Sequence, residues 1–144
     1  MLDLVDDLYQ QGLKLHKSGK VELACQVYTL VLNANPEHSM ANHNMGALAV
    51  DIGKVQEALP FFEAALEANA DVAQFWVSYI DALINVERIA DAQAVFGQAK
   101  SNGAKGDGFD KLEQRLNEAG QEPLKGKQVA SEPQLKQPNI LDTL

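Results

Sequence analysis

The 144-residue chain has a single cysteine, five prolines, three histidines and no excess of basic residues. One cysteine, Cys25, rules out a disulfide within the chain and any metal site built on paired cysteines, and it fits a reducing compartment. No segment reaches the ~18 apolar residues that a membrane-spanning helix needs. The opening MLDLVDDLYQ lacks the basic start and apolar run of a signal peptide. Acidic residues outnumber basic ones by 20 to 12, giving a net charge of −8, and the Lys and Arg are scattered rather than gathered into a stripe. That balance argues against nucleic acid and favours neutral or basic protein surfaces as partners. The expectation is a soluble, cytoplasmic chain that binds neither membrane nor nucleic acid.

Reactive groups are equally sparse. His16, His38 and His43 do not form an HxxxH metal-ligand pattern, and KSGK at 17–20 lacks the glycine-rich loop that cradles phosphate. Cys25 sits beside Ala24 at a position that suits a small buried residue, so it reads as an inert thiol. With no convergent set of nucleophile, base and orienting group, the chain is expected to be no enzyme and to carry no catalytic residue, no metal and no cofactor.

What the chain does contain is a repeat. Hydrophobic residues make up 46% of it, with little strand-type alternation, which points to an all-helical protein. Shifted by 34 positions, Ala24, Ala58 and Ala92 coincide, as do Tyr28, Phe62 and Phe96, and Val31, Ala65 and Ala99. Leu8 falls on Asn42 and Trp76, Gly12 on Gly46, Gly19 on Gly53, and Asn35 on Asn69. Three units follow, at about 5–38, 39–72 and 73–106. Within the second, Met45, Leu48, Ala49 and Ile52, then Val55, Ala58, Phe62, Ala65 and Leu66, keep helical spacing on either side of Gly53. Each unit is therefore two helices, with Gly19 and Gly53 closing the first helix and Pro36 stopping the second. Pro60 lies in KVQEALPFFEAAL, an otherwise helical stretch. A helix starting at about Val55 or Gln56 places it near the end of the first turn, at a cost of at most about one hydrogen bond.

This pattern resembles the tetratricopeptide repeat over residues 5–106. The resemblance implies a right-handed α-solenoid of three helix-turn-helix repeats, with small residues letting paired helices approach and large ones (Leu8, Trp76, Tyr28, Phe62, Phe96) filling the space between units. Trp76 and Tyr79 are then inter-repeat core, whereas the period leaves Phe75 undetermined. Gln11, Asn42, Ile80 and Ala70 depart from the family pattern. Looser packing is expected at Asn42 and a displaced third unit at Ile80. Residues 107–119 form a seventh, capping helix with an apolar stripe of Phe109, Leu112 and Leu116, started by Asp107 or Asp110 and ended by Gly120. Together 1–120 make the repeat domain. Residues 121–144, with three of the five prolines, read as a linker or tail.

In such arrays the first helices line a concave groove, so the resemblance implies a scaffold that binds a protein or peptide there. The register assigns Tyr9, Leu13 and His16 from unit one. It takes Met40, His43, Asn44, Ala47 and Val50 from unit two, and Gln74, Val77, Ser78 and Asp81 from unit three. Gln10, Lys17, Asp51, Ile84 and Asn85 complete the face. Members that clamp a peptide's C-terminal carboxylate carry a Lys/Asn/Asn/Lys/Arg set. Here those places hold Tyr9, Leu13, Asn44, Gln74 and Ser78, and only Asn44 agrees. The stretch 78–116 is similar to N-terminal repeat regions of larger bacterial proteins with glycosyl-, sulfo- or methyltransferase domains. Three roles follow: a general peptide-binding module of a larger protein, the substrate-recruiting region of such a transferase, or a small three-repeat chaperone. If the tail is held and is not only a linker, its end, Pro138, Asn139, Ile140 and Leu141 with Leu144, is expected to dock in the groove of its own chain or, by self-association, in that of a second copy.

Overall fold

The computed structural model describes residues 3–120, which form seven α-helices and no strand. In order they are α1 (Leu4–Lys17), α2 (Val21–Ala34), α3 (Ser39–Asp51), α4 (Val55–Ala68), α5 (Ala73–Asn85), α6 (Ile89–Ser101) and α7 (Asp107–Gly120). The tail expectations, including groove docking and self-association, lie outside the described residues.

Local chemistry fixes the helix ends. The Asp3 carboxylate accepts from the amides of Val5 and Asp6 and starts α1. The Nδ1 of His38 accepts from the Ala41 amide and starts α3. Gly19 and Gly53, at φ +80° and +84°, close α1 and α3. In each case the next amide (Lys20 to the Leu15 carbonyl, Lys54 to the Ala49 carbonyl) completes a Schellman turn. The third unit makes the same turn with Glu87 at φ 64°, where only glycine is free of Cβ strain. Asn35 and Asn69 end α2 and α4, and each side chain accepts from the amide two residues on.

Pro60 sits part of a turn deeper than the sequence reading placed it. Because α4 begins at Val55, Pro60 is in its second turn, and the bond it cannot make is to the carbonyl of Gln56. Gln56 is exposed, so solvent can satisfy that carbonyl, and the helix runs on through Phe61 and Phe62.

The 34-residue repeat is a packing repeat. Ala24, Ala58, Ala92, Val31, Ala65 and Ala99 are all wholly buried. A Cβ on Gly12 would lie 2.7 Å from the Tyr28 ring, and one on Gly46 would lie 2.5 Å from Phe62. The large rings of these two units thus fill the space within a hairpin, against its own glycine, and not only the space between units as expected. Ile80 occupies the matching place in unit three and is fully buried. There α5 and α6 are in less extensive contact than the other two pairs. Phe96 is slightly exposed and leans on Phe109 of α7, with ring centroids 5.9 Å apart.

The looseness expected at Asn42 is not seen. Asn42 is wholly buried, and its Nδ2 donates to the carbonyls of Pro36 (3.0 Å) and His38 (3.2 Å). Trp76, one repeat later, donates from Nε1 to the carbonyl of Ala70 at 2.8 Å. An amide and an indole therefore tie the same loop to the same helix position, which hydrophobicity alone does not reveal. Gln11 is exposed, while its counterparts Met45 and Tyr79 are buried between units, because no described unit packs on that side of α1. Phe109, Leu112 and Leu116 bury the stripe of α7 against α5 and α6. Neither Asp107 nor Asp110 precedes that helix. The Gly106 carbonyl takes its first bonds, and both aspartates lie in the first turn, where they favour the helix dipole.

Candidate functional site

Successive odd-numbered helices touch one another directly (α1 with α3, α3 with α5, α5 with α7), whereas contacts between even-numbered helices are slight at most. A stack whose odd helices lie closer together curves around them, so α1, α3, α5 and α7 line its inner face. The candidate site residues sit on the first three, and α7 continues the row. The Cγ2 of Val77 would lie 3.3 Å from a Cβ on Gly108.

Much of the polar side of this face is bonded to itself across repeats. The Asn44 Nδ2 donates to the Tyr9 hydroxyl at 2.8 Å, linking α3 to α1. The Asn44 oxygen is 3.2 Å from His43 Nδ1, and His43 Nε2 is 2.8 Å from Ser78 Oγ on α5. An amide oxygen can only accept, so Nδ1 carries the proton and the neutral ring accepts from the serine hydroxyl. Gln74 in turn donates to Ser78 Oγ at 3.2 Å. Tyr9, Asn44, His43, Ser78 and Gln74 are thus one chain of hydrogen bonds spanning three repeats.

His16 makes a second link, with Nδ1 3.2 Å from the Tyr28 hydroxyl and Nε2 2.9 Å from Asp51. A third joins Arg115 of α7 to Asp81. Each of these bridges spans 34 or 35 residues, the length of one repeat.

Burial tunes these groups. Removal from water lowers the pKa of His43, an effect partly countered by its bond to Asn44. The ring lies between Phe75 (4.9 Å between centroids) and Phe62 (5.5 Å). Burial raises Tyr9 despite the Asn44 bond, and raises Cys25 as well, as befits an inert thiol. Tyr9 is buried, its ring stacked on Tyr28 and tilted against His38, while its hydroxyl accepts from Asn44.

Apolar residues form the rest of the face. Leu13, Val50 and Val77 are half-buried against the core, and Met40 is 40% exposed at the start of α3. Between α3 and α5 lies a notch of about 120 Å³. Ala47, Val50 and Ala82 form its sides, with the Phe62 ring also lining it. Asp51, Ser78, Asp81 and Asn85 supply its polar atoms. Phe62, Phe75 and Arg115 were not among the sequence candidates. Arg115 follows Leu13, Ala47 and Asp81 in the 34-residue register, and carrying the repeat into α7 would have found it. Among the described residues no three His, Cys, Asp or Glu side chains converge as metal ligands.

No protein-family model matches the chain, and no curated protein sequence does. Solved structures do match. The first TPR of Spaghetti (RPAP3), bound to the HSP90 peptide SRMEEVD, superposes with a TM-score of 0.72 at 16% identity, covering 80% of this chain and 91% of that one. The TPR2B domain of yeast Sti1 in its pHsp70 complex gives 0.70 at 19% identity, over 81% and 96%. The Yersinia enterocolitica type III secretion chaperone SycD, in complex with a peptide of the translocator YopD, gives 0.68 at 19%, over 83% and 91%. At such identities the likeness is one of fold. The chain has the fold of a tetratricopeptide-repeat domain, three helical hairpins followed by a seventh helix.

Proposed function

We propose that this chain is a protein-interaction module that holds a peptide, or an extended segment of a partner protein, on the inner face of α1, α3, α5 and α7. The observation that carries this reading is the face itself. It pairs exposed or half-exposed apolar groups (Leu13, Met40, Val50, Val77) with a row of polar groups already fixed by inter-repeat bonds, so little side-chain entropy remains to be lost on binding. Three structures of the same fold were solved with peptides. The reading is one of binding without chemistry, since both ring nitrogens of His16 and of His43 are engaged and neither is poised as a base.

The test is retention of a degenerate peptide library on the immobilised full chain. Val50→Arg, which fills the inner face, should weaken retained peptides at least tenfold, equivalent to about 1.4 kcal/mol. Glu22→Arg, on the exposed side of α2, should leave them unchanged. Equal effects of the two would remove the inner face from consideration.

A further inference from the structure

We infer that the notch between α3 and α5 receives a basic side chain, lysine or arginine, of the bound peptide. This inference rests on the inner-face reading above and names the chemistry of its ligand. At about 120 Å³ the notch has room for roughly four waters of ~30 Å³ each. That is the scale of one side chain, well below the ~300 Å³ or more of a cofactor site.

Its two halves differ. Ala47, Val50, Ala82 and the Phe62 ring offer an apolar wall, suited to the methylene stem that lysine and arginine lay along such surfaces. Asp51 and Asp81 offer carboxylates, and Ser78 and Asn85 offer neutral polar groups. No cation lines the notch. The side chains that touch its carboxylates come from helices outside it, the imidazole of His16 on α1 and the guanidinium of Arg115 on α7. The contact of Arg115 shows that Asp81 can accept a guanidinium in this setting. Asp51 and Asp81 together carry two negative charges against the single positive charge of Arg115, and the whole chain carries −8. An acidic peptide would be repelled. An apolar side chain would cover the carboxylates without replacing their hydration. A basic one satisfies both halves.

The probe is a degenerate octapeptide library with one fixed position, set to lysine, arginine, norleucine or glutamate, tested on the full chain at low salt. Lysine and arginine should be preferred over norleucine by about fivefold, with the margin shrinking as salt rises. Asp51→Asn should erase most of that preference. The Asp51 side chain is 58% exposed, so the change leaves the core intact. Asn85→Asp, at the exposed end of α5, should increase it. Glu67→Gln, an exposed acid on α4, should not alter it. If Glu67→Gln lowers the preference as much as Asp51→Asn, the attraction is merely that of an acidic protein and the inference fails. Peptides that bind and are blocked by Val50→Arg, yet show no basic preference, would overturn the notch assignment and leave the inner-face reading standing. Failure to retain any library would overturn both.

Discussion

The first two hairpins and the third meet one packing problem in opposite ways. In α1/α2 and α3/α4 an aromatic ring presses on a glycine of the partner helix so closely that not even a methyl group would fit. In α5/α6 the glycine is replaced by Ile80, the hairpin is less intimate, and Phe96 keeps a slight exposure where Tyr28 and Phe62 have almost none. The deficit is covered from outside the repeat. Phe109 of α7 packs on Phe96, the α7 stripe is buried against the third unit, and Arg115 and Glu113 pair with Asp81 and Lys100. In a linear array each unit is stabilised by itself and by its neighbours. Here the terminal helix contributes most where the hairpin before it contributes least.

The comparison can be broken at its two ends. Removing bulk from unit three by Ile80→Ala should cost about 2–5 kcal/mol, since a buried side chain would leave a cavity. Adding one methyl to unit two by Gly46→Ala should cost about 1–3 kcal/mol through overlap with Phe62. Urea titrations of both would show opposite changes of size at equivalent positions both destabilising. If either variant matched the parent, the two hairpins would not differ in the way described.

A smaller effect sharpens the same contrast. Glu87 makes with a strained φ of 64° the turn that Gly19 and Gly53 make freely. Glu87→Gly should therefore stabilise the chain by about 0.5–1 kcal/mol, after allowing for the added freedom of the unfolded state. A lower midpoint in the same titration would show that the Glu87 side chain contributes something the turn geometry does not.

The smallest effect concerns the hydrogen-bonded link between units two and three. Burial lowers the pKa of His43 from its ordinary 6.5, so as pH falls the unfolded chain takes up the proton before the folded one does. Its contribution to stability is full above that value and is lost below it. Thermal melts at about pH 7.5 and about pH 5.5 should show a larger fall for the parent than for His43→Gln. Equal falls would mean that the ring is not shielded between Phe62 and Phe75.

The fold was open to reading because its strongest constraints recur at a fixed interval. Ala24, Ala58 and Ala92 mark the closest helix contacts, and Gly19 and Gly53 mark left-handed turns that few other residues adopt cheaply. Departures from the period carried different amounts of information. Ile80 marked the third unit as different, and that hairpin is the one in least extensive contact, because volume is a local property. Asn42 suggested a defect and proved to be a satisfied anchor, because the preceding turn folds its carbonyls, those of Pro36 and His38, onto the buried amide. The start of α4 at Val55 was read from the sequence, and Pro60 lies part of a turn deeper in that helix than the end of its first turn.

The candidate site divides along the same line. The 34-residue register by itself determined which residues share the inner face, because equivalent positions on stacked helices must point the same way. It could not tell that Tyr9 would be buried, that Asn44 and His43 would bond to neighbouring repeats, or that Phe62 would line a notch with Asp51 and Asp81 among its polar groups. Those outcomes depend on the distance and rotation between helices some 35 residues apart. A helical period fixes the direction of a side chain, whereas a hydrogen bond needs its partner within about 3 Å. Only the packed stack decides that separation.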